Sequence, residues 1–359
     1  MSGGVDSSVS AALLTRSGEF DVRGVFMKTW TPPGYPCTWK EEQKDAMRAA
    51  AHLGIPFATW DLSRVYEKEV VSYMQREFLR GRTPNPDVMC NKHIKFGLFL
   101  KEALRQGAPA CRQAGIYIAT GHYARLRRKL KNKNEKLKLI ELACARDVSK
   151  DQSYFLWTLG QEQLRHCLFP VGEYTKTKVR ELAHEFGLHN AEKRDSQGLC
   201  FVGNLDFADF LRTQLPQRAG ALVTADGREI GEHDGAHFYT VGQRRGLGVG
   251  GGIPYYVTNI DTAVNVVTVS VGEGDELYAR EVRFAEANWI SGQPPQFPLH
   301  CSARIRYRQP LQYCRIEKSD SEKTVYAAIF DEPQRAVTPG QSIVFYKKDI
   351  LLGGGVIAD

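Results

Sequence analysis

Residues 2–8 read Ser2-Gly3-Gly4-Val5-Asp6-Ser7-Ser8 and run directly into the apolar helical pattern of residues 9–14. Two glycines let the backbone come close to a phosphate, and serine hydroxyls and free amides at a helix start supply donors where the helix dipole is positive. The segment therefore predicts an anion-binding loop. A Walker loop would end in Gly-Lys-Ser or Gly-Lys-Thr, which this stretch lacks, so an NTPase that handles the γ-phosphate is disfavoured.

The sequence around this loop alternates β-rich runs with helical patterns, as βαβ units do. Three runs are strand-like: residues 22–28, 55–61 and 116–120. Residues 65–79 carry apolar side chains at helical spacing and are followed by Gly81. Thr175 is placed to cap another helix, which ends at Gly187. The pattern predicts an α/β fold, with an open, mostly parallel sheet covered by helices.

The second half of the chain has a different residue pattern. Glycine-rich turns and short β segments follow residue 205, and helical periodicity disappears beyond about residue 274. We therefore expect three domains, at residues 1–205, 206–273 and 274–359. The last one contains about five predicted strands, at residues 299–307, 311–317, 324–330, 342–346 and 350–357. Short strands separated by turns predict a small antiparallel β-barrel after the small central domain.

Composition limits the class of protein. The chain has 359 residues, of which 42% are hydrophobic and 25% charged, as in ordinary globular proteins. No apolar run approaches the ~20 residues of a membrane-spanning helix, so no membrane partner is expected. The 48 Lys and Arg against 41 Asp and Glu give a net charge of +7, which favours a polyanionic partner. Arg304, Arg306 and Arg308 alternate with apolar residues, which predicts a strand with one basic, RNA-facing side.

Two cysteines lie in loop-like segments far apart in the sequence. Cys90 follows Thr83-Pro84-Asn85-Pro86-Asp87, whose two prolines stiffen a turn ahead of a helix. The nearby cations Lys92, His93 and Lys95 favour its thiolate. Cys200 follows a glycine-containing turn. Two such thiols can alternate between thiol, persulfide and disulfide if the fold brings them within reach, although each alone is more often a buried core residue.

With these three segments in view, the chain resembles the tRNA-specific 2-thiouridylases, also called tRNA-uridine 2-sulfurtransferases, of the PP-loop ATP pyrophosphatase superfamily. The resemblance covers nearly the whole chain. Further blocks support it: Gly24-Val-Phe-Met27-Lys, Thr120-Gly121-His122-Tyr-Ala, Ser149-Lys150-Asp151-Gln152, Phe169-Pro-Val-Gly, Gly242-Gln-Arg-Arg-Gly-Leu-Gly, Arg306-Tyr307-Arg-Gln and Thr338-Pro-Gly-Gln341. It implies a Rossmann-like first domain, similar to the adenine nucleotide α-hydrolases. The family's loop follows an apolar strand, whereas only Met1 precedes Ser2 here, so we expect a late-called start or a truncated fragment.

The resemblance implies a role for individual residues. ATP would be held by Ser2, Gly3, Gly4, Val5, Asp6, Ser7, Met27 and Gly121. The target base would meet Asn85, Pro86 and Asp87. Other tRNA contacts would be His122, Lys150, Asp151, Gln152, Arg306, Tyr307 and Gln341. Cys200 would carry an incoming persulfide, and Cys90 would be the nucleophile that partners it. No protein ligand for a metal is implied.

The implied reaction replaces O2 of the wobble uridine of tRNA by sulfur. A carbonyl oxygen is a poor leaving group, so ATP first converts it to an adenylate, while Mg²⁺ screens the phosphates. Sulfur then displaces AMP, and a Cys90–Cys200 disulfide forms. Asp87 is the candidate acid or base. The resemblance also implies a persulfide donor, either a cysteine desulfurase or a sulfur-relay protein, and a monomer.

The expected location is the bacterial cytoplasm, because eight cysteines without a Cys-x-x-Cys pair indicate a reducing compartment; the mitochondrial matrix stays open. Two other functions also remain open. Another PP-loop ligase or synthetase would adenylate a small metabolite and leave Cys90 and Cys200 dispensable. A non-catalytic RNA-binding protein would leave the phosphate loop and both thiols unexplained. A minor alternative is an iron–sulfur cluster held by Cys90, Cys200 and Asp87.

Overall fold

We analysed a computed structural model, which describes residues 1–35, 39–107, 115–130, 138–194, 207–250, 252–318 and 325–359. Its α-helices are α1 Val5–Ser17, α2 Trp39–His52, α3 Ser63–Tyr66, α4 Ser72–Leu79, α5 Pro86–Met89, α6 Phe99–Gln106, α7 Gln161–Leu164, α8 Lys176–Glu185 and α9 Phe207–Gln214. Two π-helical stretches, Glu67–Val71 and Cys90–Leu98, join α3 to α4 and α5 to α6. Short 3₁₀ turns lie at Val148–Lys150, Ser153–Leu156, Pro170–Glu173, Ala236–Phe238 and Asp275–Leu277.

Four short strands of the first part pair in parallel, as predicted. They are β1 Gly24–Lys28 paired with β2 Phe57–Asp61, and β3 Ile118–Ala119 paired with β6 Cys167–Leu168. In the part of the chain that the structure describes, these form two separate pairs rather than one continuous sheet. The first residues lie between the pairs, because the Met1 amino group donates to the Val25 carbonyl and the Ser10 hydroxyl donates to the Thr120 carbonyl. The phosphate loop therefore stands between the two pairs of parallel strands.

The helix signals in the sequence act as expected. The Thr175 side chain accepts a hydrogen bond from the Lys178 amide and caps α8, and Gly187 follows with a φ of 67°. The predicted helix at residues 65–79 spans α3, the stretch Glu67–Val71 and α4. Its buried side chains face a core that also receives the helix following Cys90. The described residues contain no helix long and apolar enough to cross a membrane.

The C-terminal strands close into a barrel. Its strands are β11 Tyr278–Trp289, β12 Leu299–Arg304, β13 Gln312–Lys318, β14 Tyr326–Arg335, β15 Ser342–Lys347 and β16 Ile350–Ile357. They follow the order β11-β14-β13-β12-β15-β16, and β16 pairs back with β11. The five predicted strands are confirmed, but sequence reasoning missed β11. Only Val282 and Phe284 show its apolar alternation clearly, and its pairing with β16 shifts register between Ala285 and Asn288, where Glu286 has a φ of 51°.

A hairpin from the first part extends the barrel sheet. Strands β4 Ala124–Leu130 and β5 Lys138–Cys144 pair antiparallel, and β5 pairs with β16. The Arg125 guanidinium lies 2.8 Å from the Asp349 carboxylate at this junction. The first and last parts of the chain therefore share one sheet, which fixes their relative position.

The middle part forms its own four-stranded sheet. The strands are β7 Gly220–Thr224, β8 Glu229–His233, β9 Tyr255–Asp261 and β10 Val266–Val271, in the order β8-β7-β10-β9. Its core is small, centred on Leu222, Val257 and Val267. Because Gly81 packs against Ile260 and Thr262, this sheet reaches the segment that leads to Cys90.

Candidate functional site

The phosphate loop is built from backbone groups at the start of α1. Gly3 has a φ of 77°, and a Cβ there would collide with the Glu42 carbonyl, so the loop requires glycine at this position. The Ser7 hydroxyl donates to the Gly4 carbonyl at 3.1 Å and lies 3.2 Å from the Ser2 hydroxyl. The loop thus presents hydroxyls and amides together at the positive end of a 13-residue helix. This geometry suits a phosphate.

A buried asparagine holds the carbonyl side of the same loop. Asn190 is 4% exposed, and its side-chain amide donates to the Gly3 carbonyl and to the Ser8 hydroxyl, both at 3.0 Å. The Lys193 ammonium, 2.7 Å from Asp45 of α2, fastens the segment that carries Asn190. Asn190 therefore fixes the inner side of the loop, while the Ser2 and Gly4 amides donate to serine hydroxyls within the loop itself.

The aspartate of the loop is held in place by two partners. The Lys176 ammonium lies 2.7 and 2.9 Å from the two carboxylate oxygens of Asp6, and the Tyr123 hydroxyl donates to the same carboxylate at 2.8 Å. Lys176 is buried at the start of α8. Sequence reasoning found Asp6 but missed Asn190, Lys176 and Tyr123, because no spacing links them to residues 2–8.

Gly121, which the resemblance assigns to the ATP site, lies against the phosphate loop. A Cβ at Gly121 would stand 2.8 Å from the Ser7 amide nitrogen, so only glycine lets these two segments meet. Met27 lies on β1, half-buried against the core that also contains Cys90. The structure thus places Gly121 in contact with residues 6 and 7. Met27 instead lies on β1, the strand to which the Met1 amino group is hydrogen-bonded.

His122 links the phosphate loop to the helix of Cys90. It follows Gly121, and its ring centroid lies 5.7 Å from that of Phe96 in the stretch that begins at Cys90. Burial, together with the Lys95 charge, lowers the pKa of His122 well below its usual value, and its Nδ1 lies 2.8 Å from the Thr120 hydroxyl. The ring is therefore neutral at pH 7, so a tRNA contact through His122 cannot rest on charge.

The Cys90 loop is shaped by a helix cap. The Asn85 side chain accepts from the Val88 amide at 3.3 Å, and Pro86 occupies the first helical position of α5. Cys90 is 2% exposed, and burial raises the pKa of its thiol despite the charge of Lys95, while Asp87 raises it further. The expectation that nearby cations favour the thiolate is therefore wrong for this conformation, because desolvation outweighs them.

Residues of the other two domains clamp the backbone just before Asn85. The Gln341 side-chain amide donates to the carbonyls of Thr83 and Pro84, each at 3.1 Å, and the Thr83 amide donates to the Pro339 carbonyl at 2.8 Å. The Thr83 hydroxyl lies 3.0 Å from that of Thr240 in the middle domain. All three parts of the chain thus meet at this loop, and Gln341 acts here as a positioning residue.

Several of the predicted tRNA contacts converge on the same place. The Tyr154 hydroxyl is hydrogen-bonded to the Asn85 side chain and donates to the Ser342 carbonyl at 2.8 Å. The Phe155 and Tyr307 rings are in contact, with centroids 4.5 Å apart and planes tilted by 46°. Arg306 is half-buried, and its guanidinium donates to the Ala336 carbonyl at 2.6 Å. Arg306, Tyr307 and Gln341 therefore lie around the Cys90 loop, which contains Asn85, Pro86 and Asp87.

The turn Lys150-Asp151-Gln152 is divided between surface and interior. Lys150 is half-buried, and the Gln152 side chain accepts from the Tyr123 amide at 3.0 Å. Asp151 is 2% exposed, and its carboxylate accepts from the Ala145 amide, from the Ser153 hydroxyl and from the Arg304 guanidinium. In this conformation Asp151 orders the turn from inside and presents no carboxylate to the surface.

The prediction of a strand with one basic face is wrong in part. Arg304 is 5% exposed, because the turn carrying Asp151 covers the outer side of β12 at this point, and the strand ends there. Its guanidinium also lies over the Tyr346 ring, 5.0 Å from the centroid. Arg306 and Arg308 lie beyond the strand, and Arg308 has a φ of 64°. The cations of this segment therefore do not share one face.

Cys200 and the turn before it lie outside the described residues, so the distance from Cys90 to Cys200 stays a prediction. Among the residues that are described, no group of three or more His, Cys, Asp and Glu side chains could hold a metal ion. The iron–sulfur alternative therefore receives no support from the described part of the site.

Comparison with known proteins agrees with this architecture. The family model described as the tRNA methyl transferase HUP domain matches residues 1–204. The models described as the tRNA methyl transferase PRC-barrel domain and the aminomethyltransferase beta-barrel domain match residues 208–271 and 279–357.

Two similar proteins carry the same name, tRNA-specific 2-thiouridylase MnmA. The one from Geobacillus thermodenitrificans (strain NG80-2) is 44% identical over 361 residues, which cover 99% of this chain and 93% of the relative. The one from Streptococcus mutans serotype c is 43% identical over 365 residues, with the same shares. At this identity over nearly the full length, the chain belongs to the tRNA-specific 2-thiouridylase family.

Proposed function

We propose that this chain is an ATP-dependent sulfurtransferase that makes 2-thiouridine in tRNA, at the wobble position. The observation that carries the proposal is the convergence of a phosphate-binding loop and a cysteine loop through Gly121 and His122. A backbone cradle at a helix start supplies the nucleotide half. The buried Cys90 is proposed to take part in sulfur transfer, and the contact between Phe96 and His122 connects its helix to Gly121 and the phosphate loop.

The first step joins the uracil O2 to the α-phosphate of ATP, and pyrophosphate leaves. The amides of the loop and the Ser2 and Ser7 hydroxyls stabilise negative charge on the phosphates as it shifts to pyrophosphate. Asn190 and Lys176 hold this cradle in shape beforehand. The carbonyl oxygen, which leaves poorly by itself, thereby becomes part of AMP, a better leaving group.

The second step delivers sulfur. The Cys90 thiolate attacks the inner sulfur of a Cys200 persulfide, a Cys90–Cys200 disulfide forms, and hydrosulfide is released. Hydrosulfide adds to C2 of the uracil, and AMP departs with the original oxygen. Alternatively, the terminal sulfur of Cys200 adds first and Cys90 resolves the bond afterwards. Asp87, on the first turn of α5 beside Cys90, is the proposed acid or base.

Several finer points belong to the same proposal. Mg²⁺ would enter with the nucleotide and screen its phosphates. We assign it no protein ligand, because the carboxylate at the cradle, Asp6, is engaged by Lys176 and Tyr123. The sulfur donor is a persulfide-bearing desulfurase or relay protein, the chain acts as a monomer, and its compartment is the bacterial cytoplasm. Residues 1–205 carry out the chemistry, while residues 206–273 and 274–359 hold the loop and the tRNA.

Remaining tRNA contacts are proposed from the geometry around the Cys90 loop. Arg306, Tyr307 and Lys150 are the direct candidates, because they flank the Cys90 loop or lie at the surface nearby, whereas Gln341 holds that loop through the Thr83 and Pro84 carbonyls. His122, Asp151 and Gln152 order the segments between them in the tRNA-free protein. We therefore propose that these three act on tRNA binding mainly through position.

The test supplies ATP, a persulfide donor and unmodified tRNA, then identifies the modified nucleoside by mass spectrometry and measures pyrophosphate. We expect sulfur in place of oxygen on uridine in the wild-type chain, and none with Cys90→Ser or Cys200→Ser. Cys167→Ser is the matched control, since Cys167 is buried elsewhere and donates to the Gln163 carbonyl, as serine can. Full thiolation by both site variants would overturn the mechanism, and a methylated nucleoside would overturn the reaction.

A further inference from the structure

Two cysteines of the barrel face each other across neighbouring strands. Cys301 on β12 and Cys314 on β13 are directly paired in the antiparallel register. Their sulfur atoms lie 3.7 Å apart, and both thiols are free. Side chains directly opposite in such a pair have Cβ atoms about 4.5–5.5 Å apart, so a modest approach of the two strands would bring the sulfurs into bonding distance.

The two cysteines border a surface pocket that is large enough for a small molecule. A pocket of about 250 Å³ is lined by both cysteines together with His300, Tyr313, Asp331 and Lys347. Tyr313 is 74% exposed at its rim, whereas Cys301 and Cys314 are 8% and 4% exposed. A single water occupies only about 30 Å³ of liquid, so the pocket admits a molecule the size of a peroxide.

We propose that Cys301 and Cys314 are a reversible redox pair, which a peroxide entering this pocket converts to a cross-strand disulfide. One sulfur attacks the O–O bond, which breaks to give a sulfenic acid and one water. The second thiol then displaces the sulfenic oxygen as another water, and the S–S bond forms. The two sulfurs lose two electrons in total, which the peroxide takes up. A cellular dithiol returns the pair to thiols by exchange.

Two other described cysteines, Cys144 and Cys167, lack this arrangement and serve as internal controls. Cys144 accepts from the Ser153 hydroxyl, and Cys167 donates to the Gln163 carbonyl. The hydrogen bond with Cys301, followed by burial, raises the pKa of Cys314, so we expect the pair to react more slowly than an exposed thiol. The proposal is independent of sulfur transfer to tRNA and involves none of the residues placed in that site.

The experiment treats the full-length protein with hydrogen peroxide, blocks remaining thiols with iodoacetamide in denaturant, and digests it with trypsin without reduction. We expect peptide 284–304, which contains Cys301, to be linked to peptide 309–315, which contains Cys314. Dithiothreitol should release both. Cys144 and Cys167 should remain alkylated under the same conditions. Recovery of Cys301 and Cys314 as separate alkylated or over-oxidised peptides would overturn the proposal.

Two further measurements use different chemistry. Phenylarsine oxide bridges two nearby thiols with loss of one water, so it should protect both cysteines from iodoacetamide together. Oxidation should also raise the midpoint of thermal unfolding by several degrees, because the disulfide closes a loop in the unfolded chain. Cys301→Ser should lose both effects, and Cys314→Ala serves if that variant fails to fold. Equal protection or stabilisation in the variants would contradict a paired site.

Discussion

The phosphate loop and the Cys90 loop are both fixed by hydrogen bonds, but they differ in whether their functional groups are ready to act. In the first, Asn190 holds the Gly3 carbonyl and Lys176 holds the Asp6 carboxylate, so the loop keeps its shape without a nucleotide. In the second, Gln341 and Tyr154 hold the loop closed over a buried Cys90, whose pKa burial raises. The nucleotide half is preorganised in the free protein, whereas the sulfur half must open before its thiol can react.

This difference predicts that the two halves of the reaction can be separated. Cys90→Ser should lower thiolation by roughly 10³-fold or more, as for other removed nucleophiles, while tRNA-dependent release of pyrophosphate continues. Both products are measured in one reaction mixture. Loss of pyrophosphate release together with thiolation would show that the halves are not independent. Cys167→Ser should leave both unchanged.

The hydrogen bonds that hold the phosphate loop can be removed by a substitution at a residue that is not proposed to contact the nucleotide. Asn190→Asp keeps the shape of the side chain but removes the donors to the Gly3 carbonyl and Ser8 hydroxyl. Loss of such buried bonds costs about 1–3 kcal/mol, so KM for ATP should rise about five- to hundredfold. Thiolation at saturating ATP should change much less.

Asn288→Asp is the matched control for that change. Asn288 also donates two bonds to backbone carbonyls, those of Trp157 and Leu159, but at the edge of the barrel. Its substitution should lower stability and leave KM for ATP unchanged. An equal rise in KM for both variants would mean that the effect is a general loss of folding rather than a change in the loop.

The pH profile should differ between the two halves. Because burial raises the pKa of Cys90, the thiolate is the minor form at neutral pH, and the rate of sulfur transfer should rise with pH. Below that pKa the increase approaches about tenfold per pH unit. Pyrophosphate release should rise less steeply over the same range. A flat profile for single-turnover thiolation would show that Cys90 is already ionised when the substrate is bound.

The smallest expected effect concerns the clamp on the Cys90 loop. Gln341→Leu removes the donors to the Thr83 and Pro84 carbonyls, and we expect a several-fold change in kcat with KM for ATP unaltered. Gln161→Leu is its control, because Gln161 likewise donates to two carbonyls, of Ile140 and Ile290, away from the site. Identical kinetics for the two variants would exclude a specific positioning role for Gln341.

Much of the fold was predictable from local pattern. The strands at residues 22–28 and 55–61, the cap at Thr175 and the barrel strands all follow from periodicity and turn residues. The strand Tyr278–Trp289 escaped because charged side chains and a left-handed residue at Glu286 obscure its alternation. Nor could a local pattern show that β5 joins the barrel at β16, since that pairing spans about half of the chain.

The site divides in the same way. The residues proposed to carry the chemistry, such as Gly3, Gly4 and Cys90, lie in motifs that the sequence shows. The residues that hold them in place, such as Asn190, Lys176 and Tyr154, are not marked by any motif in the sequence. Only the tertiary structure brings them to the site. Burial of Cys90, which reverses the expected effect of its cations, likewise depends on packing that no local pattern encodes.

The central claim is that the uracil oxygen leaves as part of AMP. It is tested most directly with tRNA whose target uridine carries a heavy oxygen isotope at O2. A single turnover with ATP and the persulfide donor should place that isotope in the phosphate of AMP, in an amount equal to the 2-thiouridine formed. Thiouridine formed with unlabelled AMP, and with the isotope in water, would contradict the account.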